Sequence, residues 1–221
     1  MNDRAAAAAE RAQHIRQRCD RPSQRRCAEH PNARAAALVP AQIEVRASAS
    51  AEGTVEFNGY ATVYERGYEM WDYWGPYTEI VSAGAGAESL ARSDLDVPLV
   101  LQHNQLRRIA RTTNGSLELA EDDNGLSVRA PALDMSDADV AYIVPKLRAG
   151  LLDEMSFAFR ILSGQWSPDY TEYRINRYDI HRGDVAIVGY GANPFTEAYA
   201  RGERPAASSR ARALLEIALH R

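Results

Sequence analysis

The sequence predicts an α+β fold, mainly an antiparallel β-sheet that closes, or nearly closes, into a barrel with flanking helices. Three observations predict it. From Gln42 onward, the chain consists largely of short runs of β-forming residues separated by turns. Asn-Gly pairs at 114–115 and 124–125 separate three of these runs, as tight turns between antiparallel neighbours do. A helix with capping residues at both ends, 136–150, interrupts the β-like region.

The individual strands are predicted from alternation of apolar and polar residues and from short apolar runs. They are expected at 43–46, 55–64, 77–81, 97–102, 109–112, 117–120, 126–130, around Ser156, and at 170–175 and 178–188, the last two paired through a turn at 176–177. Helices are expected at 87–92 and 136–150, with a kink at Pro145. An aromatic stretch around Gly75-Pro76 is interpreted as a loop packed on the barrel, with a cleft for an extended peptide as the alternative.

Composition divides the chain into three parts. Residues 1–42 are rich in Ala and Arg, lack an apolar stripe that would anchor a helix, and are predicted to be a flexible arm. Residues 43–200 contain the predicted sheet, and residues 201–221 a linker and an amphipathic helix. Because residues 1–50 hold nine arginines against five acidic residues, an arm that docks on a partner or nucleic acid is the alternative to a solvated tail.

Bulk composition excludes several classes of protein. With 45% hydrophobic and 25% charged residues and no apolar run as long as a membrane span, the chain is typical of soluble proteins. The N-terminal residues lack the basic-then-apolar order of a secretory signal, so we expect no export. Cys19 and Cys27 have a spacing that fits no metal or redox motif, which indicates free thiols.

The stretch around Ser156 is the first candidate for chemistry. Alternation places Met155, Phe157 and Phe159 on one face of a strand, while Ser156 shares the other face with Ala158. A serine beside a small residue has room for a substrate to approach its hydroxyl. A serine hydroxyl is a poor nucleophile unless a base lies within hydrogen-bond reach and another group orients that base.

The sequence offers few candidates for the base. Three of the five histidines lie near the chain ends, which leaves His103 and His181. His103 follows the apolar run 97–101 and precedes a polar loop, so its imidazole is held at a strand end where it can meet a substrate. The alternative is a structural or solvated histidine, which is the commoner case.

Asp184 is the candidate for the orienting acid. It interrupts a strand where the residues turn apolar, and a buried carboxylate there is costly unless it is paired. A carboxylate that caps the turn after Gly183, or that pairs with an arginine, is the alternative. Asp153 and Glu154 are further candidates, although a helix-to-strand junction is usually exposed.

Five segments carry a resemblance to a known family. They are 57–64 (FNGYATVY), 96–103 (DVPLVLQH), 121–126 (EDDNGL), 150–159 with its MSFAF, and 184–188 (DVAIV) with Ala192-Asn193-Pro194. In this order they resemble the prohead proteases of tailed bacteriophages, which are capsid-maturation serine proteases related to the herpesvirus assemblins. The resemblance covers about residues 55–198 and implies an assemblin-like fold.

Carried over residue by residue, the resemblance implies a serine endopeptidase with Ser156 as nucleophile, His103 as general base and Asp184 as the acid that orients it. The implied reaction requires no metal and no organic cofactor, and residues 43–200 would be the protease domain.

The sequence departs from the family's pattern in three places. Ala158 replaces a glycine, residues 83–87 stand where a Pro-Gly-Ala-Phe stretch is usual, and the acid is Asp where Glu is common. Oxyanion donors are not identified, and Arg107, Arg108 and Arg111 are only candidates.

The resemblance also implies partners and a location. The substrates would be the phage major capsid protein and the scaffolding protein or scaffold domain, cleaved inside the assembling procapsid in the host cytoplasm. Autoprocessing is a further hypothesis, with the small, polar segment 205–209 as its site. Self-association stays open, and neither a membrane nor nucleic acid is an expected partner.

The rival hypothesis is a catalytically inactive assembly or scaffold-binding module of the same fold. An unrelated hydrolase is a weaker alternative, since no nucleophile-elbow pattern surrounds Ser156.

Overall fold

The structure, a computed structural model of the 221-residue chain, describes residues 4–23, 26–27, 36–40, 43–48 and 52–189. Its helices are α1 (Arg4–His14), α2 (Ala87–Leu90) and α3 (Ala138–Arg148), with a 3₁₀ turn at Thr112–Asn114. Its strands are β1 (Arg26–Cys27), β2 (Ala36–Pro40), β3 (Glu44–Ala47), β4 (Thr54–Val63), β5 (Gly67–Trp71), β6 (Pro76–Val81), β7 (Pro98–Leu101), β8 (Asn104–Arg111), β9 (Glu118–Glu121), β10 (Gly125–Asp134), β11 (Glu154–Trp166) and β12 (Glu172–Val188). None of the helices in these ranges is long and apolar enough to span a membrane.

The strands form two open sheets, so the prediction of a closed or nearly closed barrel is wrong. The eight-stranded sheet has the order β1-β5-β6-β12-β11-β2, with β7 paired to β12 and β8 paired to β7. The four-stranded sheet has the order β3-β4-β10-β9. The α+β class with open sheets is consistent with the structure, whose described residues are mostly in strands.

The larger sheet branches at the long strand β12. Its N-terminal half pairs in parallel with β6 and its C-terminal half pairs in parallel with β7, so one edge of β12 carries two different neighbours. The two predicted strands, 170–175 and 178–188, are therefore one strand, with no turn at 176–177. The polar pair there lies in a β-bulge, where the partner of β12 shifts from Ser163 to Gly164.

The two Asn-Gly pairs have different outcomes. The pair at 124–125 joins β9 to β10 in an antiparallel hairpin, as predicted. The pair at 114–115 follows β8, which belongs to the larger sheet, and leads to β9, which belongs to the smaller one. Gly115 is in the left-handed conformation and ends the 3₁₀ turn, so the pair connects the two sheets and forms no hairpin.

The main hydrophobic core lies on one face of β11 and β12. Met155, Phe157, Phe159 and Ile161 are buried in it as the alternation predicted, and the rings of Phe157 and Phe159 stack with centroids 4.1 Å apart. The opposite face carries a separate small cluster of Val100, Ala186 and Val188. Ser156 belongs to this second face because it lies directly opposite Ala186 in the ladder.

The N-terminal helix packs on the sheet through an arginine. Arg11 is fully buried, and its guanidinium binds the carboxylate of Asp72 at 2.7 and 3.0 Å and the carbonyl oxygens of Gly75 and Pro76. The same guanidinium lies over the ring of Tyr77 at 5.2 Å from its centroid. No apolar stripe marks this anchor in the sequence, because a buried, paired charge holds α1. The boundary of the arm at residue 42 stays a prediction.

Candidate active site

The structure brings three of the predicted side chains together in one hydrogen-bonded row. The hydroxyl oxygen of Ser156 lies 2.9 Å from Nε2 of His103, and Nδ1 of His103 lies 2.6 Å from Oδ1 of Asp184. Because a carboxylate only accepts, Nδ1 carries the imidazole proton and Nε2 accepts from the serine hydroxyl. The row therefore has a direction, from hydroxyl through imidazole to carboxylate.

The pairing of β11 with β12 explains why the serine and the acid meet. Ser156 is opposite Ala186 and Ala158 is opposite Asp184, so Ser156 and Asp184 are diagonal neighbours on one face of the ladder. The two alanines contribute only methyl groups to this face. The small neighbours singled out in the sequence thus leave the space between hydroxyl and carboxylate that an imidazole needs.

His103 reaches this space from a tight turn. Leu101 pairs with Asn104, so Gln102 and His103 alone connect β7 to β8. Both have left-handed backbones, with φ of 53° and 54°, as a two-residue turn of type I′ requires and as residues other than Gly and Asn rarely adopt. The imidazole's two hydrogen bonds help to hold His103 in this unfavourable conformation.

Gln102 has the same unfavourable backbone without a role in the row, so it provides a test of the turn. We expect Gln102→Gly to raise the free energy of unfolding by about 0.5–1 kcal/mol, because glycine adopts the left-handed conformation without the steric penalty of a Cβ. The greater entropy of glycine in the unfolded chain cancels only part of this stabilisation. Urea unfolding measures the change. Gln165→Gly, in the extended backbone of β11, is the control and should be destabilising. Equal destabilisation by both substitutions would contradict the turn geometry.

Asp184 is positioned by an irregularity in the pairing of β12 with β11. Ala158 pairs with Asp184, but Arg160 pairs with Asp179, so the residues between them on β12 loop away from the ladder. Arg182 is left-handed with φ of 59°, and a Cβ on Gly183 would lie 1.8 Å from the carbonyl oxygen of Ala158. Only glycine allows the chain to pass this close to β11. This irregularity therefore brings the carboxylate of Asp184 back onto the serine face.

The hydrogen-bonded row of Ser156, His103 and Asp184 is largely shielded from solvent. Ser156 is 0% exposed and Asp184 3%, whereas a quarter of the His103 side chain is exposed. The ladder partner of Ser156 on its other side is Leu38 of β2, so the chain's own strand occupies that edge of β11. In this state the hydroxyl has no open approach from solvent.

The other candidates lie outside the row. Nδ1 of His181 accepts a hydrogen bond from the backbone N–H of Asp96 at 3.3 Å. Each candidate arginine is engaged with another residue: Arg107 with Asp139, Arg108 with Gln105, and Arg111 with Asp96. The Arg111 guanidinium holds the pKa of the Asp96 carboxyl below its ordinary value. Asp184 binds Nδ1 of His103, so it occupies the position of the orienting acid for which Asp153 and Glu154 were further candidates.

The loop at 83–87, where the sequence departs from the family's pattern, has a packing role. The Gly86 N–H donates to the carboxylate of Glu121, and the backbone N–H of Tyr178 donates to the carbonyl of Ala85. A Cβ on Gly86 would lie 2.2 Å from the hydroxyl of Tyr178. Burial raises the pKa of that tyrosine well above its ordinary value, so the hydroxyl stays protonated. The loop closes over the core away from the serine face.

One contact of the row was missed in the sequence. Nε2 of Gln105 donates to Oδ2 of Asp184 at 2.6 Å, so both carboxylate oxygens are bound. The sequence carries no signal for this contact, because His103 lies in the turn and Gln105 is a polar residue in a polar segment.

A serine hydroxyl, an imidazole and a carboxylate joined in this order are characteristic of serine hydrolases. Comparison with known families then identifies the group: residues 41–209 match the caudovirus prohead serine proteases, and the chain belongs to that family. The family predicted from the five segments is thereby confirmed. No curated protein and no solved structure matches the chain.

Membership defines the class of activity. The chain is a serine protease of phage capsid maturation, it acts within the assembling procapsid, and its interactions are with capsid and scaffold proteins in general.

Proposed function

We propose that the chain is an endopeptidase that cleaves the major capsid protein and the scaffolding protein or scaffold domain of its virus, with Ser156 as nucleophile, His103 as general base and Asp184 as orienting acid. The observation that carries the proposal is the unbroken row of hydrogen bonds from the Ser156 hydroxyl to the Asp184 carboxylate. Family membership supports the choice of a peptide as substrate.

The first half of the reaction transfers the acyl group to the enzyme. Oγ of Ser156 bonds to the carbonyl carbon of the scissile peptide while its proton passes to Nε2 of His103, and the carbonyl π electrons move to oxygen. When the carbonyl reforms, the C–N bond breaks and the imidazolium gives its proton to the leaving amine. Asp184 keeps the other imidazole proton on Nδ1 and stabilises the imidazolium.

The second half returns the enzyme to its starting state. A water molecule gives a proton to Nε2 of His103 as its oxygen bonds to the acyl carbon. The ester bond then breaks, Oγ of Ser156 regains the proton, and the carboxylic acid is released. The chain's own groups supply every proton transfer, so the proposed reaction needs no metal and no organic cofactor.

Burial of the nucleophile indicates how the activity is restrained. Ser156 is fully buried and the β11 edge beside it is paired with β2, so a substrate segment reaches the hydroxyl only after local opening. An extended substrate that adds to a strand edge would have to displace this neighbour. We infer that the isolated chain is a latent form and that assembly with capsid and scaffold favours the open form.

Co-expression with the capsid and scaffolding proteins of the virus or prophage that encodes the chain tests the proposal. The wild-type chain should shorten both proteins in assembled particles, and Ser156→Ala should leave them at full length. Ser163→Ala, a substitution further along β11, should cleave like wild type. Full-length capsid and scaffolding proteins in wild-type particles would overturn the proposal and favour the inactive binding module.

The same particles test autoprocessing. Removal of a C-terminal piece at segment 205–209, which lies outside the described residues, should occur in the wild-type chain and not in Ser156→Ala. Intact-mass measurement of the chain distinguishes the two. Full-length mass in particles whose capsid protein is cut would dispose of self-cleavage while leaving the proposed protease intact.

A further inference from the structure

We propose that Gln105 is a positioning residue, which holds the Asp184 carboxylate in the orientation that His103 needs, and that Arg108 in turn fixes the Gln105 amide. The inference rests on the proposed function, because it assigns these residues to the same row. It goes beyond that function by adding two residues on β8 that act only through Asp184.

The first support is that the two carboxylate oxygens of Asp184 accept hydrogen bonds from different residues. Oδ1 of Asp184 accepts from His103 at 2.6 Å and Oδ2 accepts from Gln105 at 2.6 Å. A carboxylate bound at one oxygen can still rotate about its terminal bond, whereas donors at both oxygens define its plane. Asp184 is only 3% exposed, so few water molecules can replace a lost donor.

The second support is that the amide orientation of Gln105 follows from chemistry. The Arg108 guanidinium donates through Nη2 to Oε1 of Gln105 at 3.0 Å, and through Nε to the Gln105 backbone carbonyl at 2.8 Å. A guanidinium only donates, so it must face the amide oxygen, and the amide nitrogen is left for the carboxylate, which only accepts. The two contacts assign the same orientation independently.

The third support is that these side chains extend the row into one chain of donors and acceptors. Its order is Arg108, Gln105, Asp184, His103 and Ser156. His103 and Gln105 come from one hairpin, so the turn that presents the base also presents the residue that orients its acid.

Gln105→Met tests the inference, because methionine keeps the length of the side chain and removes the donor. With a serine-directed fluorophosphonate, which bonds to Oγ with loss of fluoride, we expect labelling of the protein in assembled particles to slow about tenfold, because a small misplacement of the base slows the reaction. Arg108→Met should slow labelling less. Gln165→Met, an exposed glutamine on β11, should have no effect.

A double-mutant cycle separates positioning from a general structural effect. If Gln105 acts only through Asp184, Gln105→Met should change nothing further in an Asp184→Ala background, where no carboxylate is left to position. An equal loss in both backgrounds would overturn the inference, as would an unchanged labelling rate in Gln105→Met alone.

A spectroscopic readout makes the inference independent of proteolysis. In the free protein, the proton between Nδ1 of His103 and Asp184 should give a far-downfield proton NMR resonance, because short hydrogen bonds to charged acceptors deshield the proton. Gln105→Met should shift or broaden this resonance, and Gln165→Met should not. An unshifted resonance in Gln105→Met would refute the positioning role of Gln105 even if the protease is active. If the resonance shifts but the wild-type protein is not labelled in particles, the proposed function is refuted and the contact between Gln105 and Asp184 is not.

Discussion

Asp184→Asn is expected to slow cleavage of the capsid protein by about 10⁴-fold, the scale of the corresponding change in serine proteases. An asparagine that keeps the contact with Gln105 through its oxygen presents its NH₂ group to Nδ1 of His103. The imidazole then carries its proton on Nε2, where it can no longer accept the proton of the Ser156 hydroxyl. The rate of capsid cleavage in assembled particles measures the loss.

The exposed Asp123 provides the matched control for this substitution. Asp123→Asn makes the same change of charge at a β-turn away from the site and should cleave at the wild-type rate. If Asp184→Asn retained cleavage within tenfold of wild type while remaining folded, the carboxylate would have no part in orienting the base.

Gly183→Ala is expected to lower the free energy of unfolding by about 3 kcal/mol, at the upper end of the usual cost of overpacking. The added Cβ would lie 1.8 Å from the carbonyl oxygen of Ala158 and 2.9 Å from that of Ile180. Both contacts are with backbone, which cannot move aside without breaking the ladder between β11 and β12. The same displacement should withdraw Asp184 from His103 and abolish cleavage.

Gly84→Ala separates this clash from the ordinary cost of replacing glycine. Gly84 has φ of 76° and no atom within 4 Å of an added Cβ, so its substitution should cost only about 1 kcal/mol and leave activity intact. Urea unfolding of the two variants gives the comparison. Equal costs for both variants would contradict the close approach of Gly183 to β11.

The sequence predicts many of the strands, misses β1, β2 and β5, and does not predict how the strands pair, for a physical reason. Alternation and apolar runs report whether a residue faces a core, and this is a local property of each strand. Which edges pair depends on contacts between distant segments, as in the parallel pairing of β12 with both β6 and β7. The barrel prediction treated strands joined by Asn-Gly turns as neighbours, whereas the turn at 114–115 connects two sheets.

The candidate site is predictable where an unusual residue interrupts a regular pattern. Ser156 and Asp184 are polar residues on strand faces otherwise made of small or apolar side chains, and His103 ends an apolar run. Gln105 and Arg11 carry no such mark, because a polar residue in a polar segment is ordinary. Their importance comes from partners far along the chain, Asp184 and Asp72, and only the folded structure brings these pairs together.

Mass spectrometry of the chain after fluorophosphonate treatment of assembled procapsids tests the central claim most directly. The account predicts one adduct, on the peptide that contains Ser156, in the wild-type chain. In His103→Ala particles this adduct should be absent because the hydroxyl has lost its base. An adduct on a different serine, or unmodified Ser156 in particles that are cutting their capsid protein, would contradict the account.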